Sequence, residues 1–214
     1  MKKEFFSTVA ILLTFTAPII MLSGCDDDDE ETSDTGSYPY VDLGLSVKWA
    51  KYNVGASSES EAGYYLSWGA IEEQDSYYYG EDKFSGKSAS DISGNASYDA
   101  ARYYWGGSWR MPKASEWEEL FEKCTLSWEK SGSRYGYRLT SKSNGNSIFL
   151  PAAGLFYESI EPRVDGIVDY WSSTPSTGEL ALTHSEQVYG NSDWYNATSG
   201  NDRFIGLQIR AVSK

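Results

Sequence analysis

The sequence predicts an α+β fold, and three observations carry that expectation. From Tyr38 onward, short apolar stretches alternate with turns rich in Gly, Ser and Asn, as many short strands require. One segment has clear helical periodicity: Trp117, Leu120, Phe121 and Cys124 recur at i, i+3, i+4 and i+7. Near the end, Ile205, Leu207, Ile209 and Ala211 alternate with Gly206, Gln208 and Arg210, the period of a strand with one buried face.

In chain order, strands are expected at Val47 to Tyr52, Tyr64 to Trp68, Tyr137 to Thr140, Ser147 to Leu150, Leu180 to Thr183 and Gly206 to Val212. A short helix is expected from Tyr98 to Tyr104, capped by Ser97 or Asp99. The main helix follows Pro112, with Ser115 and Glu118 as a capping box. No repeat with a period of 20–50 residues is visible, so residues 38–214 read as one domain.

Charge and composition narrow the function. Acidic side chains outnumber basic ones 31 to 18 over 214 residues, a net charge of −13 that disfavours binding to a phosphate backbone. Nucleic acid is therefore not an expected partner. Residues 1–36 hold two of the basic and eight of the acidic side chains, leaving 16 against 23, net −7, for the folded part. With two Cys and one His, the chain has few soft metal ligands, and neither a metal nor a cofactor is expected.

The N-terminus has the layout of an export signal: Lys2 and Lys3, an apolar run from Val9 to Leu22, then small residues. Leu22-Ser23-Gly24-Cys25 resembles the lipobox of bacterial lipoproteins, where cleavage precedes the Cys and the Cys is acylated. Residues 1–24 are thus expected to be a lipoprotein signal peptide. Residues 25–37 are expected to be a lipidated Cys25 with a flexible acidic linker. The run Asp26 to Glu31 is similar to the signal that sends lipoproteins of the Bacteroides group to the outer face of the outer membrane; a solvated spacer is the plainer reading. Membrane attachment is expected through the lipid alone.

Four strings then occur in order: YVDLGLSVKWA at Tyr40 to Ala50, WGGSWRMP at Trp105 to Pro112, GNSIFLPAAG at Gly145 to Gly154 and YWSST at Tyr170 to Thr174, closed by GLQIRAV at Gly206 to Val212. Together they resemble the Fibrobacter succinogenes major paralogous domain family, found in lipoproteins of gut Bacteroidetes. The resemblance implies a C-type-lectin-like domain over residues 38–214, similar also to formylglycine-generating enzymes. It further implies a Cys where Tyr52 stands, paired with a Cys at the helix end. Here Cys124 lacks that partner and reads as a small buried hydrophobe, with a reactive thiol as the alternative.

These strings also have plain physical readings. Gly106 and Gly107 permit tight turns, Trp105 and Trp109 offer large apolar surfaces, and Arg110 is expected to bridge to a carboxylate or carbonyl. Phe149 to Gly154 reads as scaffold. Trp171 is expected in the core with its indole N–H on a loop carbonyl.

Catalysis is not expected. One exported Cys cannot supply the paired redox thiols that copper chemistry of the formylglycine-generating type requires. His184, beside Ser185 and Glu186, lacks a nucleophile-elbow motif. Carboxylates for glycoside hydrolysis exist in excess at Glu72, Glu73, Glu116, Glu118, Glu119, Glu158 and Glu161, and the helical ones suit a solvated face. Glu161-Pro162-Arg163 and Trp194-Tyr195-Asn196 only partly match the calcium strings of C-type lectins, and Arg163 puts a cation where a ligand should be.

The most site-like segment is Tyr189 to Phe204, which combines three Asn, two Asp, two Tyr and one Trp. Rings supply rigid contact area and short polar groups supply adaptable hydrogen bonds. The candidate ligand-binding residues are Tyr189, Asn191, Asp193, Trp194, Tyr195, Asn196 and Arg203. A structural hairpin with Trp194 packed beneath it is the equal alternative. Tyr77-Tyr78-Tyr79 is a second cluster that could share this surface or pair in a strand. The resulting expectation is a surface-anchored, non-catalytic recognition lipoprotein for a glycan or protein ligand, held on the outer membrane and facing the exterior. A structural subunit of a surface assembly comes second, and a polysaccharide hydrolase third.

Overall fold

The computed structural model describes residues 38–158, 166–176, 184–190 and 195–214, with backbone alone for 184–190 and 195–199. Helices and strands mix as an α+β fold. The described elements run β1 (Tyr40–Val41), β2 (Lys48–Ala50), α1 (Ala100–Trp105), α2 (Ala114–Lys123), β3 (Cys124–Ser131), β4 (Arg134–Ser141), β5 (Ser147–Pro151), β6 (Val168–Pro175), β7 (His184–Gly190), β8 (Tyr195–Asp202) and β9 (Val212–Ser213). They form three antiparallel sheets among the described residues, ordered β1-β2-β9, β3-β4-β5 and β6-β7-β8.

Helix α2 buries Trp117, Leu120 and Phe121, the residues its periodicity predicts. Its start differs from the Ser115/Glu118 expectation. The Lys113 N–H donates to Glu116 Oε2 at 2.8 Å, and the Ala114 N–H donates to Thr174 Oγ1 at 3.1 Å. A hydroxyl from β6 and a carboxylate three residues on thus satisfy two of the free amides that every helix start presents. Helix α1 is capped by Asp99, whose Oδ1 accepts the Arg102 N–H at 3.0 Å.

The chain leaves α2 directly into β3 at Cys124, without a breaker. Ser131 pairs with Arg134 to close a two-residue hairpin, and Gly132 takes the positive φ of 56° that this turn needs. Gly136 in β4 admits no side chain, since a Cβ there would meet Leu150 O at 2.1 Å across the ladder to β5. Arg138 of β4 grips Glu59 with two bonds of 2.9 Å, which holds the Glu59 carboxyl down to about 2 and ties the 57–61 loop to the sheet.

Two apolar clusters fill the interior. One gathers Trp49, Trp117, Leu120, Tyr137, Leu139, Leu150 and Tyr170 between α2, β4 and β6; the other gathers Trp68, Trp109, Met111, Trp171, Leu207 and Ile209. Trp171 donates its indole N–H to Leu66 O at 2.9 Å, and Trp68 donates to Ser172 O at 2.9 Å.

Three strand expectations need correction. Val47 to Tyr52 contributes only the three residues of β2. Tyr64 to Trp68 forms a single bridge, Leu66 to Leu207. Gly206 to Val212 is buried on both sides, with Gln208 and Arg210 as hidden as Leu207. This segment threads between loops, bonding in turn to Phe156, Leu66, Trp171, Val54, Ala50 and Arg110, and so meets protein on every side. The expected strand at Leu180 to Thr183 lies outside the described residues.

The buried donors of that segment are held mostly by main-chain acceptors. Arg210 donates from Nε to Asn53 Oδ1 at 2.8 Å, from one terminal nitrogen to Ala50 O and Lys51 O, and from the other to Phe149 O at 2.8 Å. Tyr170 Oη donates to the same Asn53 oxygen at 3.1 Å. Three segments distant in sequence, at residues 50–53, 149 and 170, converge around one guanidinium.

Candidate functional site

The Tyr189 to Phe204 segment is mostly strand. β7 and β8 pair with Tyr189 opposite Asn196 and Gly190 opposite Tyr195, after a register shift between Gln187 and Tyr189. That register brings three of the candidate residues, Tyr189, Tyr195 and Asn196, to one end of the hairpin. Asn191, Asp193 and Trp194 belong to the connection there and lie outside the described residues. On its other edge β7 pairs with β6, placing Tyr189 opposite Asp169. The backbone of β8 runs beside α2.

Arg203 requires a correction: it is fully buried and does not belong to an exposed rim. Its guanidinium lies 4.9 Å over the Trp68 ring and 5.9 Å from Phe84, and it donates to Lys87 O at 3.0 Å. The main-chain N–H of Trp68 returns a 2.8 Å bond to Arg203 O. The residue therefore anchors the chain where β8 rejoins the core. Desolvation of an arginine is offset here by the ring face and a carbonyl.

Next to that anchor Phe204, past the end of β8 opposite to that of Tyr195 and Asn196, meets one of the three consecutive tyrosines. Tyr79, 73% exposed, sets its edge against Phe204 with centroids 6.1 Å apart, and Tyr157 packs on Phe204 at 5.6 Å. Tyr77 is instead buried, its Oη donating to Tyr65 O and its ring lying against Gly206. The triple tyrosine thus divides, Tyr77 serving the core and Tyr79 the surface that adjoins the terminal segment.

Several of the residues weighed for catalysis have structural engagements. Glu116 is no part of a solvated face: it binds Arg110 at 2.5 and 2.8 Å and accepts the Lys113 N–H. The expected bridge of Arg110 is this pair. Glu119 accepts the Ser46 N–H, and Glu73 accepts the Tyr65 N–H at 3.1 Å. Cys124 is buried, and burial pushes its thiol up, away from the thiolate a nucleophile needs. His184 begins β7 opposite Asp202. Among the described residues, no three His, Cys, Asp or Glu side chains gather to hold a metal, and no helix is long and apolar enough to cross a membrane. Cys25 and Glu161-Pro162-Arg163 lie outside the described residues.

A polar cavity of about 670 Å³, lined by Asp91, Ser93, Arg102, Arg110 and Lys113 among others, was not legible in the sequence. Its basic residues come from separate segments, and no spacing signals their convergence.

No family model matches the chain, and no curated protein or solved structure matches it.

Proposed function

We propose that this chain is a lipid-anchored, non-catalytic recognition protein on the exterior of an outer membrane, with a C-type-lectin-like domain of the major paralogous type. In this reading Cys25 carries the lipid, residues 26–37 act as a tether, and the end of the β7–β8 hairpin contacts a glycan or protein ligand. The observation that carries it is the strand register, which gathers Tyr189, Tyr195 and Asn196 around a connection that contributes Asn191, Asp193 and Trp194. Tyr79 packs on Phe204 beyond the opposite end of β8 and is not part of this hairpin end. Tyrosine and tryptophan with short polar neighbours are the composition that serves ligand recognition at small entropic cost. Arg203 enters the account as the anchor that fixes the hairpin, not as a ligand contact.

The test is a glycan and host-protein array probed with the full chain in mild detergent. Replacing Trp194 and Tyr195 together by Ala should reduce binding at least tenfold while moving the thermal midpoint by no more than about 2 °C, as expected for surface changes. A large loss of stability would instead assign the two rings to packing.

A further inference from the structure

The 670 Å³ cavity is formed by three walls that one buried carboxylate ties together. Asp99, fully buried, accepts the Gly94 N–H at 2.6 Å from the first wall, the Arg102 N–H at 3.0 Å from α1, and the Met111 N–H at 2.9 Å from the third. Arg110 is fixed on Glu116 and Ser93, so its charge is already neutralised. Arg102, Lys113 and Lys214, which also line the cavity, form no ion pair with described residues. Arg102 goes further: its Nε is buried and has no hydrogen-bond partner. Its guanidinium lies along Gly94, with one terminal nitrogen 3.6 Å from where a Cβ of that residue would sit. A buried donor without an acceptor is costly; being buried, the Nε is not itself open to a ligand and shows only that the protein leaves this arginine incompletely satisfied.

The lining therefore offers more unengaged cations than the single carboxylate of Asp91, within a folded region whose net charge is −7. Its volume exceeds what one inorganic anion fills and falls in the range of small-ligand sites. Asp91, whose Oδ1 accepts the Ser93 N–H, supplies a carboxylate acceptor suited to a sugar hydroxyl, whereas the Ser93 hydroxyl is engaged with Met111 O and Arg110. Trp105 follows Arg102 by one helical turn, and Tyr38, 37% exposed, stacks on it with centroids 4.4 Å apart. We propose that this cavity binds an acidic saccharide, its carboxylate or sulfate held by Arg102 and Lys113 and a hydroxyl by Asp91. The site is independent of the terminal hairpin.

Calorimetric titration of the full chain in mild detergent tests this, with oligogalacturonate, a sulfated oligosaccharide, a neutral oligosaccharide of equal length, inorganic sulfate and ATP as probes. Binding is expected for at least one acidic oligosaccharide, with the carboxylated and sulfated arms identifying the group preferred, and none for the neutral one. It should weaken as salt rises. Arg102→Gln should lower the affinity at least tenfold, Arg102→Lys should restore part of it, and the Trp194/Tyr195 double variant should leave it unchanged. If Arg102→Gln fails to fold, Lys113→Gln decides, with an expected loss of at least threefold. Absence of binding to either acidic oligosaccharide, parental affinity in Arg102→Gln, binding of sulfate or ATP as tight as that of the oligosaccharide, or loss confined to the Trp194/Tyr195 variant would overturn the proposal.

Discussion

Replacing Arg210 by Met is expected to destabilise the fold by about 3–5 kcal/mol, the largest effect of any single substitution considered. The volume is roughly conserved, so the loss is electrostatic. Ala50 O, Lys51 O, Phe149 O and Asn53 Oδ1 would each lose a donor inside the protein. A buried ion pair can sometimes be exchanged for apolar side chains at little cost, because both partners change together. Three of these acceptors are main-chain carbonyls and cannot be changed away. Arg210→Lys should not rescue, since one ammonium cannot reach acceptors spread around a planar fork. Chemical denaturation measures this; a loss under about 1 kcal/mol for Arg210→Met would show that the carbonyls find other donors.

Asp169→Asn is expected to act in the opposite direction. Asp169 lies in β6 with no exposed surface, and neither carboxyl oxygen has a hydrogen-bond partner. Burial pushes its pKa well above the ordinary carboxylate range, with only the nearby Tyr170 amide opposing. The folded state then holds a proton that the unfolded chain releases near the ordinary value of 3.8. The stability this group contributes is complete below that value and is lost as pH rises toward the folded pKa. Asn mimics the neutral acid and carries no such dependence. At pH 7 the variant should gain about 1–3 kcal/mol, several degrees in thermal midpoint, and the gain should shrink to nothing near pH 4. Because Glu59, Asp99 and other titrating groups are common to both chains, the difference between the two curves isolates Asp169. A gain independent of pH, or a loss at pH 7, would refute this account of the residue.

Much of the fold was legible because it rests on local chemistry. The stripe of Trp117, Leu120 and Phe121 fixed α2, and Asp99 marked the start of α1. β3 was missed because Cys124 closes the helical stripe and opens the strand at once, so no punctuation separates them. Alternation through Gly206 to Val212 suggested one wet face, yet Gln208 and Arg210 are dry. Their acceptors come from residues up to about 160 positions away, which a period of two cannot reveal.

The candidate site divides in the same way. Composition singled out the terminal segment, and strand pairing brings Tyr189, Tyr195 and Asn196 together. Arg203 stands among turn-forming residues and reads as a rim residue, but Trp68 and Phe84, more than a hundred residues earlier, take it into the core. Arg102 carried no signal, since its unpartnered Nε arises only when α1 packs beside Gly94.

Hydroxyl-radical footprinting of the full chain tests the central claim most directly, because it compares the hairpin rings with fully buried Trp49, Trp117 and Trp171 in the same molecule. The account predicts rapid oxidation of Trp194 and Tyr195 in the free chain, and protection of both once a ligand from the array is added. Oxidation of Trp194 as slow as that of Trp117, with or without ligand, would contradict it.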